Sequence, residues 1–224
     1  MTVRAGLGLG PLPRPRAGRA ISCKPRHFDG LHKRGLDAVS VDQFGRVVPE
    51  ELRTRPDGAA ALRYFDSLGT VTIEEMLGLW RGSGLNTGHP MDGLLETFGW
   101  YGKRFDSPEE VHPLVFPTGK GRLFCINPSF LPVGVLLRHP GLARLPVAPR
   151  LFGVARPLIA TTRPQARLRM TQHRGVVTAT MCYDRLPAHD AFRRIDENTV
   201  MGAMDIRGLR QPLMFLLRRE RIQR

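Results

Sequence analysis

No run of this 224-residue sequence approaches the ~20 consecutive apolar residues of a membrane-spanning helix. Nor does Met1 to Ala20 hold the continuous apolar core of a secretory signal, because Gly6, Gly8, Gly10, Pro11 and Pro13 interrupt Leu7, Leu9 and Leu12. A cytoplasmic location is the default expectation. Cysteine is scarce: Cys23, Cys125 and Cys182 are odd in number and far apart, which excludes a closed disulfide framework and gives no zinc-ligand pairing. Walker loop, Rossmann fingerprint, serine nucleophile elbow and zinc signature are all missing. Acid is absent from Val111 to Tyr183, whereas Lys120, Arg122, Arg138, Arg144, Arg150, Arg156, Arg163, Arg167, Arg169 and Arg174 all fall there.

That imbalance contributes to a net charge of +14, which suits phosphate-bearing or other anionic partners. Specific nucleic-acid binding is not expected. Arg138, Arg144, Arg150 and Arg156 recur every six residues among Pro, Leu and Val, off any single helix face, and no nucleic-acid motif accompanies them. A solvated basic surface with weak anionic-lipid contact is the plainer reading.

Three regions follow from the pattern. Residues 1–57 are rich in Gly, Pro and Arg and read as a flexible basic extension, with a short hairpin at Ala38–Val41 and Gln43–Val48. Residues 58–160 begin with a helix over Ala59–Leu68 and a capping box at Thr72 and Glu75. The strand Gly78-Leu79-Trp80-Arg81-Gly82 comes next. Pro90 to Phe105 reads as one amphipathic lid helix, with Met91, Leu94, Leu95, Phe98 and Tyr101 as its apolar stripe, although Gly93, Gly99 and Gly102 weaken it. Val111–Pro117 and Gly121–Ile126 read as strands. Pro128–Ile159 carries six prolines that exclude a long helix or a central strand, so it should wrap the outside or form broken helical turns. Residues 161–224 form an antiparallel meander: Ala166–His173, Val176–Tyr183, Phe192–Ile195, Thr199–Ile206 and Leu213–Arg221. About eight strands result, the count for a barrel that holds one small ligand.

A tryptophan between two glycines can open such a barrel, the glycines permitting close backbone approach and the indole plugging the floor. The motifs also carry a resemblance. Gly78-Leu79-Trp80-Arg81-Gly82, Thr87-Gly88-His89-Pro90, the run Gly99 to Phe105 and Val111-His112-Pro113-Leu114 resemble the bacterial and fungal GXWXG protein family. Ala166 to Arg169, Arg174 to Val177, Met181 to Asp184, Phe192-Arg193 and Met204-Asp205 resemble the domain of unknown function that usually follows it. More loosely, the start is similar to calycin barrels: lipocalins, fatty-acid-binding proteins and nitrobindin-like haem barrels. The lipocalin likeness implies an arginine of the last strand over Trp80, for which Arg218, Arg219 and Arg221 are available, with Arg218 the first choice. Gly78, Trp80, Gly82 and Arg218 are thus the structural set.

The fold expected is mainly β: an antiparallel calycin-like barrel with a helical lid after its first strand and a flexible N-terminal tail. Its first functional reading is reversible binding of a small hydrophobic or amphipathic molecule, anionic ones included, by Trp100, Tyr101, Lys103, Arg167, Arg169, Arg174 and Tyr183. A second is an enzyme that isomerises, cyclises or dehydrates an apolar metabolite, using Tyr183, Asp205, His89 or Lys103. A third is a haem-binding barrel with a histidine ligand, although no cofactor and no metal site is expected. The blander readings stand beside these. His89 would cap the turn before Pro90, and Arg174 and Arg193 would neutralise Asp184, Asp190 and Asp205 in an internal ion network.

Overall fold

The computed structural model describes residues 48–54, 57–118 and 122–220. The hairpin expected at Ala38–Val48 lies outside them except for Val48. In chain order the elements are α1 (Glu50–Thr54), α2 (Gly58–Ser67), β1 (Gly69–Thr70), α3 (Ile73–Met76), β2 (Gly78–Gly84), α4 (Leu94–Thr97), β3 (Gly102–Phe105), β4 (Val111–Pro117) and β5 (Leu123–Ile126). There follow α5 (Val133–Arg138), α6 (Ala148–Ile159), β6 (Ala160–Thr161), β7 (Ala166–His173), β8 (Val176–Tyr183), β9 (Ala188–Asp196), β10 (Thr199–Ile206) and β11 (Leu213–Arg219).

Eight antiparallel strands close into a barrel in the order β3-β2-β11-β10-β9-β8-β7-β4, with β4 returning to β3. The count matches the expectation, but the membership differs. Leu123–Ile126 pairs only with β4 and β6, beside the ring. The missing member is Gly102–Phe105, which the periodicity assigned to the end of the lid helix. The seam between β4 and β7 is narrow: Val111 faces Ala166 there, and the Gln165 and Leu168 amides donate to the Val111 and Pro108 carbonyls at 2.9 and 2.8 Å.

Alternation along the strands makes two cores. Phe215 and Leu217 of β11, Phe192 of β9 and Met181 of β8 point inward with Trp80, Trp100 and Phe105. Their neighbours Met214, Leu216, Ala191 and Met201 point outward and are covered by Ala61 and Phe65 of α2. That helix starts at Asp57, whose carboxylate accepts from the Ala59 and Ala60 amides at 2.9 and 3.0 Å. The expected capping box of α3 is formed, with Thr72 and Glu75 each accepting from the other's amide. Val48 and Leu52 join the outer core, 4% and 5% exposed. The packed chain therefore reaches into the segment read as a flexible tail, with Val48 just before α1 and Leu52 within it both set against the outer face of the sheet.

The lid helix is also shorter than its apolar stripe implied. Only Leu94–Thr97 is α-helical, since Gly93 and Gly99 bracket it at φ 75° and 72°, left-handed conformations that end a helix. Asp92 tightens the approach into a turn by accepting from the Thr87 and His89 amides at 2.7 and 2.8 Å. The proline-rich segment does break into turns, at Pro128–Phe130, α5 and Pro140–Arg144. Yet α6 runs for twelve residues, with Pro149 in its first turn, where the missing amide is harmless, and Pro157 near its end. Among the described residues no helix is long and apolar enough to cross a membrane.

Candidate functional site in the barrel

Trp80 forms the floor. It is 1% exposed, and its indole N–H donates to the Met76 carbonyl at 2.7 Å, tying the floor to α3. Register places Arg219, rather than Arg218, across from Trp80; Arg218 faces Arg81. The Arg219 guanidinium accordingly lies 4.3 Å from the indole centroid and donates to the Leu77 and Glu75 carbonyls. The expected cation–π pair exists one residue further along, because a shift of one position flips a side chain to the other face. The second glycine of the motif has a separate task. A Cβ at Gly82 would stand 2.2 Å from the six-membered ring of Trp100, so only glycine lets that indole lie across β2.

Above the floor the interior holds an ion pair. Lys103 Nζ is 2.8 Å from Asp190 Oδ2, and the two side chains are 4% and 0% exposed. Strand β3 supplies Lys103 and β9 supplies Asp190, whose inward parity it shares with Phe192. Aromatic rings surround the ammonium: Phe215, Trp100 and Tyr183 have centroids at 4.9, 5.4 and 5.9 Å. The Pro113 carbonyl accepts a further bond from it at 3.4 Å. Burial pushes the Asp190 carboxyl up, opposed by the Lys103 charge. Burial, reinforced by the Asp190 charge, also pushes the Tyr183 hydroxyl well up. Asp190 Oδ1 and Trp100 Nε1 are buried without a hydrogen-bond partner, an acceptor and a donor on the same cluster.

Half-buried apolar groups close the other end: Leu95 of α4 and Phe98 at its C-terminus, Leu131, Phe152 and Ile159 from the helical segment, and Met204 of β10. Phe152 lies 5.1 Å from Phe98 and 5.2 Å from Phe116. Glu96 binds the end of β2 through the Gly84 amide at 2.5 Å. The outer side of α6 stays uncovered, with Leu151, Val154 and Leu158 exposed by 61%, 79% and 82%. At the β4–β7 seam a cavity of ≈550 Å³ is lined by Asn127, Thr161, Arg163, Pro164, Gln165, Asp184 and Arg185. Its lining includes Gln165 and Asp184, next to Ala166 and Tyr183 in sequence.

Of the residues expected at a site, Trp100, Lys103 and Tyr183 meet inside the barrel. Tyr101 does not join them: it packs outside with Leu79 and Val115, and the Arg81 guanidinium lies 5.4 Å from its ring. Arg167, Arg169 and Arg174 face outward and pair with Asp184, Glu109 and Asp66 at 2.8, 2.8 and 2.6 Å. Asp205 of β10 pairs directly with His189 of β9, on the outer face. His89 serves its turn, its Nδ1 accepting from the Met91 amide at 3.1 Å. The expected ion network of Arg174 and Arg193 with Asp190 is replaced by Lys103–Asp190, since Arg193 packs outward over the Phe65 ring. The histidines considered as haem ligands do not converge: the buried His112 turns Nε2 toward Asp106 at 3.5 Å, His89 holds its turn, and His189 lies on the outer face. Sequence reasoning undervalued Asp190 and passed over Glu96. The inward parity of Asp190 between Ala188 and Phe192 was the available signal.

Comparison with known proteins agrees with this architecture. Residues 63–121 match the GXWXG protein family, and residues 164–219 match a domain of unknown function, DUF4334. The chain is similar to the crystal structure of a protein from Thermomonospora curvata, with a TM-score of 0.55 and 32% identity over 74% of this chain and 88% of that one. No curated protein matches.

Proposed function

This chain belongs to the GXWXG protein family, with the DUF4334 domain in its C-terminal part, and from its barrel interior we propose that it reversibly binds a small amphipathic molecule. The apolar body of the ligand would displace the Phe98–Phe152 contact at the mouth, and its polar head would reach Lys103, Asp190, Trp100 and Tyr183. One observation carries this reading: Trp100 Nε1 and Asp190 Oδ1 are buried, unpartnered, and flank one ammonium in an otherwise apolar interior. Leaving such atoms unsatisfied costs about 1–3 kcal/mol each, so a head group offering both a donor and an acceptor would gain there. A hydroxyl or a protonated carboxyl meets that requirement. The exposed Leu151, Val154 and Leu158 beside Arg150 would let the ligand arrive from an anionic lipid surface.

The raised Asp190 carboxyl beside Tyr183 favours a second reading, acid–base isomerisation, cyclisation or dehydration of such a molecule, with Asp190 as the proton donor. Dodecanol and dodecanoate, titrated into the full chain, separate these ideas from a purely structural barrel. We expect saturable one-to-one binding of at least one probe, quenching of Trp100 more than Trp80, and slower amide exchange across residues 94–105. Tyr183→Phe should keep the fold and weaken binding, and it should abolish turnover if a reaction occurs. Absence of saturable binding and of any exchange change with both probes would overturn the proposal.

A further inference from the structure

A second cluster lies on the outer face of the barrel, away from the Lys103–Asp190 interior. His189 of β9 and Asp205 of β10 are direct cross-strand partners, so their side chains share one face. That face is the outer one, because Asp190 and Phe192 take the alternate, inward positions of β9. His173, the last residue of β7, reaches the same place at the end of its hairpin. Its ring lies 5.8 Å from the His189 ring at 81°. His189 Nε2 and Asp205 Oδ2 are 3.8 Å apart. One ligand atom from each of the three residues falls within 4.8 Å of the other two. His173 Nε2 is buried and has no hydrogen-bond partner.

We propose that His173, His189 and Asp205 bind a divalent transition-metal ion of the zinc, cobalt or nickel class. Two imidazoles and one carboxylate form a donor set suited to those ions and poorly suited to calcium or magnesium, which take oxygen ligands. Metal–ligand bonds of about 2.0–2.2 Å set ligand atoms roughly 3.4 Å apart in a tetrahedron, so the three side chains need to close only slightly. Half-exposure of the cluster leaves the remaining coordination positions to water or a small solute. The neighbouring charges are mixed. Arg174 is paired with Asp66, and Arg193 adds a cation beneath, which sets the affinity below that of a closed structural zinc site. Contiguous sequence gives no hint of this site, because the ligands stand sixteen residues apart and only strand register and the β7–β8 hairpin unite them.

The test uses the full chain without a purification tag, stripped with chelator and titrated with ZnCl2 by calorimetry and with CoCl2 by visible absorption. One equivalent of zinc should bind, with magnesium inert at the same concentration. His173→Ala, His189→Ala and Asp205→Asn should each weaken zinc binding by roughly tenfold or more, since even loss of an outer partner of a ligand costs 10–100-fold. His139→Ala, in the helical segment, should leave it unchanged. Circular dichroism of each metal-free variant verifies folding, and His189→Gln replaces any alanine variant that fails it. Stoichiometric zinc binding that survives all three substitutions, or no zinc binding by the folded wild-type chain, would overturn the proposal. Neither outcome bears on the interior ligand, whose probes are apolar.

Discussion

Replacing Lys103 by methionine isolates the energetics of the barrel interior. The substitution keeps most of the side chain's length among Trp100, Tyr183 and Phe215 but removes the cation that faces Asp190 at 2.8 Å. At that distance and an effective dielectric of about 20, the lost attraction is about 6 kcal/mol before desolvation is counted. The net cost of orphaning one member of a buried pair is about 3–5 kcal/mol. The cost must depend on pH, and the direction follows from linkage. Burial already raises the Asp190 carboxyl, and without Lys103 nothing in the pair opposes that effect. A carboxyl raised in the folded state favours folding below its ordinary value, and that contribution is lost as pH rises through the folded value. Lys103→Met should therefore lose more stability at pH 8 than at pH 5, because protonation of Asp190 relieves the orphaned buried charge. Lys103→Met with Asp190→Leu should recover stability toward wild type and abolish the added pH slope, because an apolar pair carries no desolvation penalty. Urea unfolding followed by tryptophan fluorescence at both pH values, with the m-value checked for constancy, measures all three proteins. A Lys103→Met penalty equal at pH 5 and pH 8, or a double variant no more stable than the single one, would refute the argument.

Two further outcomes test the frame around the site. Trp80→Ala should cost about 3–5 kcal/mol, since it empties the floor and strands Arg219 over nothing, and an unchanged thermal midpoint would contradict the floor's role. Leu52→Ala should cost about 2–4 kcal/mol if α1 belongs to the folded unit, measured by urea unfolding; a loss under ~0.5 kcal/mol would return residues 48–54 to the tail.

Much of the barrel is written locally. Strand-like runs between turn signals gave Val111–Pro117, Val176–Tyr183 and Thr199–Ile206 to the residue, and Thr72 with Glu75 gave the start of α3. These follow from backbone periodicity and capping, which act within a few residues and are legible in order along the chain. The glycine–tryptophan–glycine motif likewise announced a barrel floor. Tertiary structure alone decided what depends on register and parity. Whether Arg218 or Arg219 covers Trp80, whether Gly102–Phe105 completes the ring or ends a helix, and which acid meets Lys103 each turn on a one-residue phase. A single sequence does not encode that phase locally. Asp190 and Asp205 show this most plainly: both are aspartates in adjacent strands, yet one faces a buried ammonium and the other faces His189 outside. Their opposite fates come from the two-residue period of a β-strand, applied to strands whose alignment only the closed barrel sets.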